Sequence, residues 1–117
     1  MKLFDTSIVI RMIRERKFQI GAISILTIIE ILRGVSEEKR EKIKSRLEKA
    51  FDTIPLDNKV IHEYCKLYQF LKNEGKLIPD ADLLIAASAK AYNLELVTMD
   101  EDFNRLKKYG VKVSLLR

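Results

Sequence analysis

Short apolar runs alternate with segments of helical periodicity along the whole of this chain. The run 95–98 has the length of a strand, whereas apolar residues recur every three or four positions over 60–72, as in an amphipathic helix. Repeated alternation of this kind favours a parallel sheet, because the crossover between two parallel strands usually contains a helix. The sequence therefore predicts an α/β fold with a five-stranded, mainly parallel central sheet flanked by helices on both faces.

The predicted elements span nearly the whole sequence. Strands are predicted over residues 2–4, 20–24, 53–56, 95–98 and 111–116. Helices are predicted over residues 8–16, 27–33, 37–52, 60–72, 83–92 and 101–108. We expect Gly34 and Gly110 to end the second and the last of these helices. The strand 53–56 is expected at an edge of the sheet, where Pro55 is tolerated.

The composition indicates one globular domain of 117 residues. Apolar residues make up 47% of the chain, which is typical of a compact fold with a single core. The one cysteine, Cys65, excludes an internal disulfide and a zinc site built from several cysteines, and its apolar surroundings predict a packed, reduced thiol. The apolar stretch 20–32 is too short to cross a bilayer, and nothing at the N-terminus resembles a signal peptide, so we expect a cytoplasmic protein.

The chain carries a net charge of +5, with 22 Lys and Arg against 17 Asp and Glu. A basic surface favours polyanions such as nucleic acid, although many basic proteins bind none. The charge therefore supports a nucleic-acid partner without establishing one. Arg11, Arg14 and Arg33 are candidates for contacts with phosphates, although such side chains are more often solvated surface charge.

Four acidic residues stand at the ends of strands or near the starts of helices. Asp5 and Asp100 follow the first and fourth predicted strands, while Glu30 and Asp82 lie in the first or second turns of helices. In an α/β sheet, the carboxyl ends of parallel strands and the starts of the helices that follow share one edge, where ligands bind. We therefore expect these four carboxylates to converge in one crevice.

Each acid also has a purely local interpretation. Asp5, Asp80 and Asp100 could cap the helices that follow them. Thr27 and Glu30 have the spacing of a capping box, which would give Glu30 a local structural role.

These local roles do not explain the apolar surroundings of two of the acids. Glu30 lies between Ile28-Ile29 and Ile31-Leu32, and Asp82 directly precedes a long apolar run without a nearby Lys or Arg. A carboxylate near a core is costly unless a cation compensates it. Because carboxylate oxygens are hard ligands, magnesium or manganese is expected rather than zinc.

Four segments carry a recognisable pattern over nearly the whole chain. They are Asp5-Thr6-Ser7-Ile8-Val9, Thr27-Ile28-Ile29-Glu30-Ile31-Leu32-Arg33-Gly34, Asp82-Leu83-Leu84-Ile85-Ala86-Ala87-Ser88-Ala89 and Leu96-Val97-Thr98-Met99-Asp100-Glu101-Asp102-Phe103. In this order and spacing they resemble the PIN-domain nucleases, and especially the VapC toxins of bacterial and archaeal toxin–antitoxin pairs. The last two segments are fairly specific, and the four together are strongly so.

The resemblance implies a three-layer PIN fold formed by residues 1–117 as a single domain, and magnesium- or manganese-dependent cleavage of RNA. By motif position, the residues that match the family's catalytic and metal-binding quartet are Asp5, Glu30, Asp82 and Asp100. Residues that match auxiliary positions are Thr6, Ser7, Thr98 and Asp102. The three hydroxyls would orient the carboxylates, and Asp102 would add a further acid.

The resemblance also implies partners. VapC-like proteins typically form homodimers and are held inactive by a cognate antitoxin. An Arg or Lys of the antitoxin could neutralise the carboxylates.

Alternative functions remain open at this point. One is a PIN-type RNA-processing nuclease outside a toxin system, and another is a regulatory module that binds nucleic acid or a partner without cutting. A phosphatase with an aspartyl nucleophile is disfavoured because Ser7 occupies the place of its usual second Asp. A metal-free ribonuclease with two imidazoles is disfavoured because His62 is the only histidine.

Overall fold

A computed structural model describes all residues from Met1 to Arg117, and its central feature is one fully parallel sheet. Its five strands are β1 (Lys2–Phe4), β2 (Ala22–Ser24), β3 (Asp52–Ile54), β4 (Glu95–Thr98) and β5 (Lys112–Leu115). They lie in the order β3-β2-β1-β4-β5, and every pairing is parallel. The predicted sheet is therefore confirmed, and β3 lies at an edge as expected.

Six helices connect the strands. They are α1 (Thr6–Glu15), α2 (Ile25–Leu32), α3 (Glu37–Ala50), α4 (Asn58–Glu74), α5 (Asp80–Ala91) and the 3₁₀ helix Glu101–Tyr109. None of them is both long enough and apolar enough to pass through a lipid bilayer.

Alternate residues of the strands face two separate hydrophobic clusters. Leu3 and Leu96 belong to a cluster of 16 buried residues that also contains the buried hydrophobic residues of α4, α5 and the 3₁₀ helix. Phe4 and Val97 belong to a cluster of 10 buried residues that also contains the buried hydrophobic residues of α1, α2 and α3. Because successive side chains of a strand point to opposite faces, these clusters cover the two faces of the sheet and produce the expected three layers.

Four helices begin earlier than the sequence predicted, including α4, which begins at Asn58 rather than at residue 60. Helix α1 begins at Thr6 after its N-cap Asp5, and α5 begins at Asp80. Helix α2 begins at Ile25 because the Ser24 hydroxyl accepts a hydrogen bond from the Leu26 N–H at 3.1 Å. Apolar periodicity marks only the turns that contact the core, so it places the start of such helices too late.

Two glycines behave differently at the ends of their helices. Gly110 ends the 3₁₀ helix in the left-handed conformation, with φ 94°, as predicted. Helix α2 ends at Leu32 with Arg33 as its C-cap, and Gly34 does not adopt a positive φ.

The expectation of a packed thiol is wrong, because Cys65 is exposed on α4.

Gly21 provides a test of how closely β1 and the start of β2 pack. A Cβ at this position would lie 2.5 Å from Cε2 of Phe4 and 2.8 Å from the carbonyl oxygen of Lys2. Since overpacking a close contact typically costs about 1–3 kcal/mol, we expect Gly21→Ala to lower the free energy of unfolding by about 2 kcal/mol in urea titrations.

Gly34→Ala is the matched control. Its Cβ would lie 3.6 Å from the nearest atom, the Ile31 carbonyl oxygen, which is an ordinary contact. We expect this variant to be as stable as the original protein or about 0.5 kcal/mol more stable, because alanine restricts the unfolded chain. Equal stability of the two variants would contradict the close packing at Gly21.

Candidate active site

The four predicted carboxylates line one cavity of about 450 Å³ at the carboxyl edge of the sheet. The cavity lies where the strand order changes direction, since β1 continues to β2 on one side and pairs with β4 on the other. Asp5 follows β1 and Asp100 follows β4, while Glu30 lies in the second turn of α2 and Asp82 in the first turn of α5. The other lining residues are Thr6, Ser7, Ile10, Met99 and Phe103.

Asp5 is held by hydrogen bonds to both of its carboxylate oxygens. Its Oδ1 accepts bonds from the Ser7 hydroxyl at 2.8 Å and from the Ile8 N–H at 3.1 Å. Its Oδ2 accepts a bond from the hydroxyl of Thr98, which is fully buried. Asp5 therefore caps α1 and also presents a carboxylate of fixed orientation to the cavity.

Glu30 is held by a chain of two hydroxyls. The Thr6 hydroxyl donates to Oε1 of Glu30 at 2.6 Å, and its oxygen lies 3.0 Å from the hydroxyl oxygen of Thr27. Because the single hydroxyl hydrogen of Thr6 is used for Glu30, Thr27 donates to Thr6. The alternative interpretation of Thr27 and Glu30 as a capping box does not hold, since Ser24 caps α2 and Thr27 lies within the helix.

Thr27 is a residue whose contribution the sequence reasoning missed. It is fully buried, and its hydroxyl supports the bond between Thr6 and Glu30. The spacing that suggested a cap also places Thr27 and Glu30 on the same face of a helix, three residues apart. Because residues three apart share a helix face, this spacing could have predicted that the Thr27 hydroxyl lies on the same side of α2 as the Glu30 carboxylate.

One hydroxyl connects Asp5 with the segment that carries Asp100. Thr98 donates to Asp5 and accepts a bond from the Asp100 N–H at 3.0 Å. Asp100 Oδ1 in turn accepts a bond from the Asp102 N–H at 2.9 Å, so Asp100 also caps the 3₁₀ helix. The Asp102 side chain does not line the cavity.

Asp82 differs from Asp5 and Glu30 because it lacks the hydroxyl donors that hold their carboxylates. Burial raises the pKa of Asp82, and repulsion from Asp100, Glu30, Asp5 and Asp102 raises it further, in that order of importance. No ion pair in the structure involves a member of the quartet. The cavity therefore concentrates negative charge that the protein does not compensate.

The donor chemistry of the cavity fits magnesium or manganese. Four carboxylates and the hydroxyls of Thr6 and Ser7 line it, and hard oxygen donors of this kind are preferred by both ions. In this conformation, no three Asp, Glu, His or Cys side chains are arranged to hold an ion. Like charges repel one another, so the carboxylates stay apart until a cation compensates their charge. The oxygen donors and the uncompensated charge therefore fit magnesium or manganese, although the side chains are not yet spaced to hold an ion.

Asp80 does not cap α5, contrary to the sequence prediction. It is the first residue of the helix, and its Oδ1 accepts a hydrogen bond from the Tyr64 hydroxyl at 2.7 Å. This bond raises the pKa of Tyr64 to about 12, because it stabilises the protonated phenol beside a carboxylate. Asp80 therefore ties the start of α5 to α4, two residues before Asp82.

The fold and the acid-lined cavity define a protein of the PIN class. The chain matches the PIN domain family over residues 2–109, so it belongs to this family. It is 39% identical to Ribonuclease VapC1 of Methanocaldococcus jannaschii over 115 residues, which cover 95% of this chain and 85% of that protein. The resemblance noted in the sequence is therefore confirmed.

Solved structures with the same fold include two VapBC assemblies. VapBC2 from Rickettsia felis, bound to a DNA fragment from its promoter, is 25% identical with a TM-score of 0.80, and the match covers 99% of this chain and 98% of that one. VapBC-1 from nontypeable Haemophilus influenzae is 20% identical with a TM-score of 0.81, covering 97% and 96% of the two chains, and shows the likeness of fold alone.

The raised pKa of Asp82 predicts that this side chain destabilises the folded protein in the absence of divalent ions. When the pKa is raised in the folded state, ionised Asp82 opposes folding above that pKa, and the cost disappears as the pH falls and the carboxyl is protonated. Because Asp82 is only half-buried and solvent screens part of the repulsion, we expect Asp82→Asn to raise Tm in EDTA at pH 7 by roughly 2 °C, equivalent to about 0.5 kcal/mol.

The gain should shrink as the pH approaches 4, which calorimetry in EDTA across this range would measure. Asp52→Asn changes an exposed aspartate on the edge strand and is the control, with Tm expected to stay the same. A lower Tm for Asp82→Asn at pH 7 would contradict the repulsion among the four acids.

Proposed function

We propose that this protein is a metal-dependent endoribonuclease that hydrolyses RNA phosphodiester bonds and acts as the toxin of a toxin–antitoxin pair. The observation that carries the proposal is the convergence of four uncompensated carboxylates, Asp5, Glu30, Asp82 and Asp100, in one cavity. Membership of the PIN family and the 39% identity to Ribonuclease VapC1 support RNA as the substrate.

Asp5, Asp82 and Asp100 would hold magnesium or manganese, and Glu30 would complete the set. When bound, such an ion polarises the scissile phosphate and makes water a stronger nucleophile at neutral pH. The protein's own contribution is orientation: Ser7, Thr98 and the Ile8 N–H fix Asp5.

Glu30 is also suited to receive a proton from the attacking water. Its Oε1 is occupied by the Thr6 hydroxyl, so Oε2 is the oxygen that remains to accept the proton. The buried Thr27 holds Thr6 in place, which keeps the free oxygen at a defined position. Attack in line with the leaving oxygen would produce 5′-phosphate and 3′-hydroxyl ends.

Asp5→Asn tests the proposed site directly. Asparagine caps helices as well as aspartate does, but its amide nitrogen cannot accept the hydrogen bond of Thr98, so we expect the variant to fold with a stability lower by about 1–2 kcal/mol. We expect cleavage of RNA in magnesium to fall by more than about 100-fold, because loss of a group that merely orients a ligand already costs about 10–100-fold. Cleavage is measured with a fluorogenic RNA, and the product ends are identified by mass spectrometry.

Asp52→Asn is the matched control and should cleave at the original rate. Full cleavage by Asp5→Asn in magnesium would overturn the site. Tight binding of RNA by the original protein, without turnover in magnesium or manganese, would instead favour the alternative of a non-catalytic binding module.

The acid cavity continues into an apolar groove along α1. Ile10 and Glu30 line both the acid cavity and a neighbouring cavity of about 350 Å³, and Ile13 and Ile43 line that cavity and a third of about 640 Å³. We name this surface the apolar groove. Phe18 lies at its far end and is 53% exposed. Continuous exposed apolar surface of this kind marks sites of protein association.

An antitoxin segment would occupy the apolar groove and bring an Arg or Lys among the carboxylates. Arg14, Arg16 and Arg46 also line the groove, which favours a segment with acidic residues on its polar side. The likeness to VapBC assemblies supports this partner. A short DNA-binding protein encoded next to this chain is the expected candidate, whereas its absence would favour an RNA-processing role.

Ile13→Glu tests the groove with the product of the adjacent reading frame as inhibitor. We expect the variant to cleave RNA normally alone and to need roughly 30-fold more inhibitor, since a buried apolar contact of this kind is worth about 2 kcal/mol. Ile61→Glu places the same charge at an exposed position of α4 and should leave inhibition unchanged. Equal inhibition of both variants would contradict the assignment of the groove.

We also propose that residues 1–117 act as a single domain that pairs as a homodimer in the cytoplasm, which the VapC likeness supports. Light scattering of the purified protein would measure the dimer.

A further inference from the structure

The acid cavity contains no cation that could attract its substrate. None of its lining residues is Lys, Arg or His. An RNA strand carries a negative charge at every nucleotide, so the phosphates on either side of the scissile bond need cationic partners outside the cavity.

Arg11 is the basic residue that contacts a residue of this wall. Its Nη1 lies 3.7 Å from the sulfur of Met99, which lines the acid cavity. Its Nε donates to Oε1 of Glu15 at 3.2 Å, one turn later on α1. These two contacts position the guanidinium, while 46% of the side chain stays exposed. By contrast, Arg14 lies on the apolar groove.

Arg11 also lines a second, smaller cavity of about 280 Å³. The side chains of Lys17 and Arg117 add two further cations to its lining, against the single carboxylate of Glu15. Phe18 contributes an aromatic surface to the same cavity. Cations combined with an aromatic side chain form the usual composition of a binding surface for single-stranded nucleic acid.

We propose that Arg11 binds a phosphate of the RNA strand next to the scissile one, and that the cavity which Arg11 shares with Lys17 receives the adjoining nucleotide. This inference rests on the proposed ribonuclease function and adds the direction in which the strand leaves the acid cavity. Arg11 is a substrate-positioning residue and contributes nothing to the chemical step.

Arg11→Gln is the central variant. At 0.15 M salt we expect KM to rise about fourfold with kcat unchanged, because one phosphate contact on a single strand contributes about 0.7 to the slope of log affinity against log salt. The salt slope of kcat/KM should fall by about the same 0.7. Arg11→Lys keeps the charge and should hold KM within about twofold of the original value.

Lys44→Gln is the matched control. Lys44 and Glu48 on α3 form an ion pair with the same four-residue spacing, the same 3.2 Å separation and similar exposure. Its loss should leave KM and the salt slope unchanged. Both ion pairs are exposed, so thermal melting of all variants should agree within about 1 kcal/mol of stability.

A second readout is independent of turnover. In the Asp5→Asn background with magnesium, anisotropy of a fluorescein-labelled single-stranded RNA measures the dissociation constant, which Arg11→Gln should raise about fourfold. If the original protein cleaves RNA and Arg11→Gln leaves KM and the salt slope unchanged, the Arg11 inference alone is overturned. A fall in kcat without a change in KM also overturns it. If the original protein neither binds nor cleaves RNA, the proposed function fails as well.

Discussion

Repulsion among four carboxylates in one cavity is the interaction on which the rest of this structure depends. Burial and the neighbouring acids raise the pKa of Asp82, and no Lys or Arg pairs with the quartet. Ionised Asp82 therefore opposes folding at neutral pH, so other parts of the molecule must offset its cost. The two hydrophobic clusters that cover both faces of the sheet provide that stabilisation.

Buried hydroxyls determine how the acids face one another. Thr27 and Thr98 are both fully buried, and a buried hydroxyl is costly unless it makes hydrogen bonds. Each satisfies this requirement through the site: Thr98 bonds Asp5 and the Asp100 N–H, and Thr27 bonds the hydroxyl that holds Glu30. The same hydrogen bonds therefore orient the carboxylates and satisfy the buried hydroxyls of Thr27 and Thr98.

The parallel sheet and the grouping of the acids were predictable because both follow from local patterns. Short apolar runs identified all five strands, and the shared carboxyl edge of parallel strands implied that Asp5 and Asp100 converge in one crevice. The strand order itself was not predicted, and the structure shows that β1 and β4 are adjacent. The identity of the caps was not predictable in the same way. Ser24 lies within an apolar stretch, and only the backbone shows that its hydroxyl, rather than that of Thr27, meets a free N–H.

Contacts between distant segments account for the remaining differences. Nothing near Asp80 in the sequence indicates that its carboxylate binds Tyr64 on α4 and leaves the helix uncapped. The apolar groove joins Ile13 of α1 with Ile43 of α3, and each residue alone has the pattern of an ordinary amphipathic helix. Such surfaces exist only after the helices have packed on the sheet, so periodicity within one helix does not reveal them.

The position of α1 gives the site two different sides. Ile10 lines the acid cavity and the apolar groove. The next residue, Arg11, contacts Met99 and lines the smaller cavity that it shares with Lys17. Adjacent residues of a helix point about 100° apart, so Ile10 faces the apolar groove while Arg11 faces the smaller cavity with its basic residues. An inhibitor in the groove and an RNA strand along Arg11 would then overlap at the carboxylates and at Phe18, which lines both the groove and the cavity of Arg11 and Lys17. Inhibition would depend chiefly on the side chain that enters the acid cavity, because the middle of the groove, along Ile13 and Ile43, lies outside the cavity of Arg11 and Lys17.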